Sequence, residues 1–409
     1  MSQVFRPSVI ELPSGFGLAI DTSTGESFEI LGGKVVKDDW QKLTEKYLGR
    51  SAARRLLSKF RVSKRGAGEV PAYRVVRCGW AVLNQKEGVS VFRALAAQRA
   101  HFAGTVQCGS VWHCPVCSSK IAARRSAEMV VASERCRADG GAVMLATATV
   151  KHSASDSAAQ SVERLQTLWD RMNAGKRAKA WRESFGVVGQ IKAIEFTIGG
   201  NGWHPHVHSL LFLRHPQPVE AVAEGLRFRY IGAAKSEFGW LLPDVAVDVR
   251  DGAAAANYIS GWGIESEVSG GAWKTGKNGS SAPFDLLLQF SSPDCSRSER
   301  AEAGRRFVEF ATAVSRITEG RVSTVRQLVW SRGLKDRFGV DEKTDEEIAA
   351  AMEEPALLLG NLGFDDWLRV LNVKAFDARL VVLQLASLGD WSEVRLFVDS
   401  LPQPQSQKE

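Results

Sequence analysis

The alternation of apolar and polar positions along the chain predicts a series of strands and helices in a telling order. Residues 15–33 alternate apolar and turn residues as a hairpin does, and 39–60 carry a helical period that ends in the basic stretch 59–65. Residues 72–120 hold short strand-like pieces, and 121–138, rich in Ala, Arg and Glu, read as a helix. The run AVMLATATV at 142–150 predicts a strand, and 158–185 a helix. Residues 187–198 predict a second strand, which turns through Gly199-Gly200-Asn201-Gly202 into a third. Helical periods follow at 218–238, 253–263 and 298–317, with a short strand at 245–249 and a Gly/Ser/Lys-rich loop at 270–281. From 345 onward the pattern is helical and acidic, and 402–409 are expected to fray. Strands separated by helices, with one antiparallel hairpin, predict an α+β fold with a central, mainly antiparallel sheet flanked by helices.

The third strand carries unusual side chains for a core element. In Trp203-His204-Pro205-His206-Val207-His208, three of the chain's seven histidines fall on alternate positions. Alternate residues of a strand share a face, so the three imidazoles project together, a poor apolar surface and a good cation site. A two-residue turn at Gly200-Asn201 sets Glu195 opposite His206, with Cβ atoms roughly 4.5–5.5 Å apart. A turn longer by one residue sends Glu195 to the other face, so its place depends on the loop. Of the three histidines, His204 is the one that can instead touch substrate or support another ligand. Imidazoles with a carboxylate suit Mn²⁺, Zn²⁺ or Fe²⁺, whereas Mg²⁺ prefers oxygens and keeps several waters.

The cysteines form a second cluster. Cys108, Cys114 and Cys117 have the spacing Cys-x5-Cys-Pro-Val-Cys, with Cys78 upstream. Four thiolates close a tetrahedral structural Zn²⁺ site, with His101 and His113 as competing fourth ligands. Such a zinc would brace the module and orient the helix bearing Lys120, Arg124 and Arg125 along DNA phosphates. Cys136 and Cys295 stand alone and read as ordinary thiols. No disulfide framework is expected.

Charge and composition narrow the partner. The chain has 409 residues, 44% apolar and 24% charged, as a globular protein does, and a formal charge of +7. Residues 341–409 carry 6 basic and 14 acidic side chains, which leaves +15 for residues 1–340. A basic body suggests a polyanionic partner. Further basic segments at 176–179 and 274–277, including Lys274 and Lys277, interleave with Trp169, Trp181, Trp262 and Trp273, a mixture suited to single-stranded DNA. No apolar run reaches the length of a membrane span and no secretion signal opens the chain, so a cytoplasmic protein without a membrane partner is expected. Four regions follow: an accessory region at 1–70, the cysteine module at 71–140, a core at 141–340 and an acidic helical region at 341–409.

A nucleophile is narrowed by scarcity, since the tyrosines are Tyr47, Tyr73, Tyr230 and Tyr258. Tyr258 lies in the small-residue stretch AAAANYISGWG, a helix able to pack closely on a sheet and present one long side chain. A tyrosine that attacks a phosphodiester conserves the bond energy for rejoining. A tyrosine in such a place is otherwise a half-buried amphipathic core residue.

Three runs, GQIKAIEFTIGGNGWHPHVHSLLFL, ANYISGWG and CGSVWHCPVCSSKIAARR, resemble the rolling-circle replication initiator (Rep) proteins of small plasmids, members of the HUH endonucleases. The likeness extends to VRQLVWSRGLKDRFGVDEKTDEEI and so covers roughly residues 75–350. By position, His206-Val207-His208 corresponds to the HUH pair, with His204 part of an extended HPHVH form. Tyr258 corresponds to the nicking tyrosine and MLATATV to the first strand motif. The resemblance implies an HUH-type nuclease core using Mg²⁺ or Mn²⁺. It would nick one strand of a rolling-circle origin, become joined to the 5′ phosphate, leave a 3′-OH primer and later rejoin the strand. Its partners would be double- and single-stranded origin DNA, a host helicase and host replication proteins. Some relatives carry a glutamate four residues before the tyrosine, where this chain has Ala254; Glu265 and Glu267 are the nearest replacements in sequence. An HUH transposase or relaxase shares these parts, and a zinc-braced DNA-binding regulator with a structural histidine strand is the non-enzymatic alternative. The single candidate tyrosine and the cysteine module favour the plasmid initiator.

Overall fold

The computed structural model describes residues 8–11, 17–20, 27–29, 37–64, 66, 68–261, 280–318, 321–351, 355–373 and 377–403. Its centre is a five-stranded antiparallel sheet in the order Val247–Arg250, Ala142–Thr149, Gly202–Leu213, Val187–Gly199, Leu328–Trp330. The histidine strand Gly202–Leu213 is the middle one, so both of its faces must be covered. On one face Val207, Leu211 and Leu213 join Leu165, Val222 and Leu226 from the helices Ala158–Asn173 and Val219–Phe238. On the other, Leu210 and Phe212 join Met129 and Ala132 of helix Pro115–Ala138 and Ala255 and Ile259 of helix Gly252–Gly261. That second face changes from apolar at Leu210 and Phe212 to imidazole at His204, His206 and His208, only part-buried beyond the apolar cluster. Period-two alternation therefore builds a core at one end of a strand and a polar site at the other.

The α+β expectation and the antiparallel sheet hold. Several elements differ from the pattern. The helix expected at 158–185 is two, Ala158–Asn173 and Gly175–Ser184, because Ala174 is extended and Gly175 has φ +79°. The first begins with a capping box between Ser157 and Gln160, which satisfies free N–H groups at its start. The helix expected at 298–317 stops at Ala313, and Ser315–Thr318 pairs with Arg321–Thr324. Helix Pro283–Ser291 was not anticipated.

The region after 345 is not wholly helical. Residues Ala356–Leu362 form a strand that pairs with Val89–Ala94, which also pairs with Ala100–Ala103. Around this small sheet a further core gathers Tyr47, Val89, Val91, Trp367, Val382 and Phe397. Residues from the first helix, Lys37–Leu57, and from the helix Ala378–Leu388 thus share one buried cluster. Among the described residues no helix is long and apolar enough to cross a membrane.

Candidate active site

A two-residue turn, Gly200-Asn201, joins the central hairpin and fixes its register. Gly202 adopts φ +84°, and a Cβ there would lie 2.8 Å from the Ser153 carbonyl oxygen, so glycine serves both the turn and the close approach of a neighbouring segment. The register sets His206 opposite Glu195 and Thr149, and His208 opposite Thr147. Glu195 Oε2 lies 3.4 Å from His206 Nε2 and 3.6 Å from His208 Nε2. These ligand atoms fall within 4.8 Å of one another. Ligands about 2.1 Å from one cation stand on the order of 3.0–3.4 Å apart, so the group fits a divalent ion with little adjustment.

Hydrogen bonding orients one imidazole, His208, whereas His206 Nδ1 is buried without a partner. His208 Nδ1 is 2.9 Å from Thr147 Oγ1, which lets the ring donate there and turn the Nε2 lone pair toward Glu195. Burial, offset by Glu195 and reinforced by His206 and Arg250, holds the His208 pKa down to about 4, so the ring is neutral and able to ligate near pH 7. Burial works against ionisation of Glu195, yet His206, His208 and the Tyr258 hydroxyl together hold its carboxyl below the usual range. The set is thus a carboxylate and two imidazoles, a donor set for a divalent cation.

Tyr258 reaches the same place from helix Gly252–Gly261, whose first N–H groups are capped by Asp251 Oδ1. Its hydroxyl donates to Glu195 Oε1 at 2.8 Å, and its ring centroid is 4.7 Å from that of His208. His204 departs from the expected ligand set. It lies outside the three-residue group and pairs with His152, ring centroids 4.6 Å apart, because the 152–155 segment packs on the hairpin at its end of the strand. Burial and the neighbouring imidazoles of His206 and His152 lower its pKa to about 4. Neither Thr147 nor His152 was singled out in the sequence, although Thr147 lies in the strand motif MLATATV.

The cysteine cluster also closes. Cys78, Cys108, Cys114 and Cys117 are buried with their sulfurs within 4.8 Å of one another, and three of the separations are 3.6–3.8 Å. Tetrahedral Zn–S bonds of about 2.3 Å place sulfurs roughly 3.8 Å apart, so the cage fits zinc. Cys114 occupies the position just before helix Pro115–Ala138 and Cys117 lies in its first turn. The competing ligands are elsewhere. His113 hydrogen-bonds Ser110 and Ser315, and His101 stacks on Phe92.

The expected DNA-facing side chains divide differently. Lys120 Nζ donates to the carbonyls of Ala349 and Ala351, and Arg125 binds Glu128, Asp345 and the Lys343 carbonyl. Both hold the 343–351 segment against the helix instead of presenting their charge to solvent. Arg124 keeps 37% of its side chain exposed. Trp169 is buried, and Arg229 covers Trp181 at 4.0 Å, which withdraws both rings from base stacking. Lys274, Lys277, Trp262, Trp273, Glu265 and Glu267 lie outside the described residues. At the sheet edge, Ile194 N donates to Gln327 O at 2.9 Å, so pairing continues past Leu328 and brings exposed Arg326 to the Glu195 end. Arg326, Trp330, Arg332 and Lys343 line a cleft of about 640 Å³ beside this edge.

Comparison with known proteins is consistent with this geometry. Residues 100–217 match the family model Rep_1, described as replication protein. The chain is 28% identical over 299 residues to "Protein rep" of Streptomyces lividans, covering 58% of this chain and 65% of that one. It is 33% identical over 148 residues to the "Neomycin resistance protein" of Streptomyces cyanogenus, covering 30% of this chain and 34% of that one. The chain therefore spans less than two thirds of either relative's length. No solved structure matches significantly. These matches bear out the resemblance to Rep proteins, and the matched segment includes Cys108, Cys114, Cys117, Glu195 and all three strand histidines.

Proposed function

We propose that this chain is a rolling-circle replication initiator of the HUH type, which nicks one strand of its origin with Tyr258. The observation that carries the reading is the shared carboxylate: Glu195 meets His206 and His208 through one oxygen and the Tyr258 hydroxyl through the other. Glu195, His206 and His208 would hold Mg²⁺ or Mn²⁺, which would supply charge to the scissile phosphate and help the leaving oxygen. In the step proposed, Tyr258 Oη forms a bond to phosphorus as the P–O3′ bond breaks. The phenolic proton has Glu195 Oε1 as its acceptor at 2.8 Å, and the departing 3′ oxygen takes a proton from solvent to become the primer hydroxyl. The 5′-phosphotyrosine keeps the bond energy, and attack by a 3′-OH rejoins the strand with Tyr258 as leaving group.

Arg326 and Arg332 on the wall of the 640 Å³ cleft, which also carries Asp336, Glu342, Asp345 and Glu346, would meet the phosphates of a single strand entering from the Arg326 side. The buried cysteine cage would hold a structural zinc. Extension from the primer calls for a host helicase and replication proteins.

The test is incubation of the full chain with Mn²⁺ and a labelled single-stranded origin oligonucleotide. A covalent adduct that disappears in Tyr258→Phe and in the double variant His206→Ala, His208→Ala is expected. Tight duplex binding with no adduct would replace the nickase by a DNA-binding regulator.

A further inference from the structure

A buried arginine layer lies against the cysteine cage. Arg50 is 2% exposed, its guanidinium sits 4.2 Å from the Tyr47 ring centroid, and its Nε is buried without a partner. Among the ion pairs of the described residues none involves Arg50. A buried cation with no ion-pair partner of its own is costly. Gly79, next to Cys78, leaves space for it: a Cβ there would lie 2.2 Å from Arg50 Nη1. The guanidinium groups of Arg54 and Arg379 lie 4.4 and 3.5 Å from the ring centroid of Trp80, and Arg379 pairs with Asp377 and donates to the Gly79 carbonyl. Buried Arg50 and Arg379 against the single carboxylate of Asp377 leave +1, and half-buried Arg54 adds a further positive charge at the edge of the layer. Four neutral thiols offset none of it, whereas a divalent metal on four thiolates carries −2.

We infer that Arg50 is the counter-cation of the metal–tetrathiolate centre, so that metal loading and docking of helix Ala378–Leu388 form one coupled equilibrium. Gly79 joins the two. Its neighbour Cys78 is a cage member, its missing side chain admits Arg50, and its carbonyl receives Arg379 from helix Ala378–Leu388. Arg50 is a positioning residue here, acting on the cage by charge and not as a ligand. The inference rests on the reading of the four cysteines as a zinc site.

The experiment uses full-length wild type, Arg50→Met, Arg50→Lys and Cys114→Ser, each assayed for bound zinc and for the rate of zinc transfer to a chromophoric chelator. Outer partners of metal ligands typically change affinity about 10–100-fold. Arg50→Met should therefore release zinc at least tenfold faster, and Arg50→Lys, which keeps the charge, should stay near wild type. Equal rates in wild type and Arg50→Met overturn the inference, as does equal loss in both Arg50 variants, which would make the role one of shape. Cys114→Ser with unaltered zinc would instead overturn the zinc assignment itself. Hydrogen exchange on wild type gives a reading that needs no variant. Stripping the zinc should reduce protection in 47–54 and 378–388 together, and unchanged protection in 378–388 refutes the coupling.

Discussion

Thr147→Val tests the active-site geometry through an atom that touches neither substrate nor metal. The substitution is nearly isosteric and removes the hydroxyl 2.9 Å from His208 Nδ1. Two consequences follow from the half-buried position. The loss is about 0.5–1.5 kcal/mol if water replaces the hydroxyl, and about 1–3 kcal/mol if the Nδ1–H stays dry and without a partner. The ring then loses its preference for the tautomer and rotation that aim Nε2 at Glu195. If a metal holds that preference in place, the cost appears as weaker metal binding, of the order of 10–100-fold for outer partners of metal-bound histidines. Isothermal titration of Mn²⁺ into the full chain measures it, with His208→Ala and the double variant completing a cycle. Once His208 is gone, Thr147→Val should cost nothing further. A single variant that binds Mn²⁺ as wild type does, or one that costs equally with and without His208, would refute the reasoning.

Cys114→Ser should abolish bound zinc and lower the melting temperature of the full chain, measured by metal analysis and calorimetry; retained zinc counts against the cage. Arg326→Ala should weaken single-stranded DNA binding and reduce the slope of log K against log salt by roughly 0.7, the share of one phosphate contact. An unchanged slope removes Arg326 from the strand's path. His113 is buried and neutral, burial lowering its pKa to about 4 against 6.5 unfolded. The unfolded chain therefore binds the proton first as pH falls. Stability is complete above about 6.5 and decreases by roughly 3 kcal/mol as pH falls toward 4. His113→Gln should flatten that acid limb in urea melts taken across pH, and an equally steep limb assigns the loss to other groups.

What the sequence made legible was local. The pairing of Glu195 with His206 follows from a two-residue turn and strict alternation, both readable within a dozen residues. Tyr258 could be nominated from its helix, but its contact with Glu195 depends on how that helix crosses the sheet. Thr147 lay in a recognised strand, yet its partner is set by cross-strand register with residue 208, and no single strand encodes that. His204 could be marked as the least secure of the three ligands, but alternation does not reveal that its neighbour is His152. Lys120 and Arg125 looked like a DNA-facing stripe since charge on a helix is usually solvated; the 343–351 segment that covers them comes more than two hundred residues later. The strand Ala356–Leu362 was hidden for the same reason, its partner being Val89–Ala94.

That last pairing has a consequence for the order in which the molecule is made. Val89–Ala94 is the middle strand of its sheet, and one side of it has no occupant until Ala356–Leu362 has been synthesised. About 260 residues separate the two, so at roughly 5–20 residues per second the edge stands open on the ribosome for on the order of 13–50 s. The exchanged groups of Val89, Val91 and their neighbours are meanwhile an adhesive surface for any other extended chain. All five strands of the central sheet, from Ala142 to Trp330, are translated within that interval. The sheet that bears the histidines can thus be complete while the unit beside the cysteine cage still waits for its closing strand, and a ribosome that stalls after Trp330 would release a chain with its central sheet formed and a sticky flank.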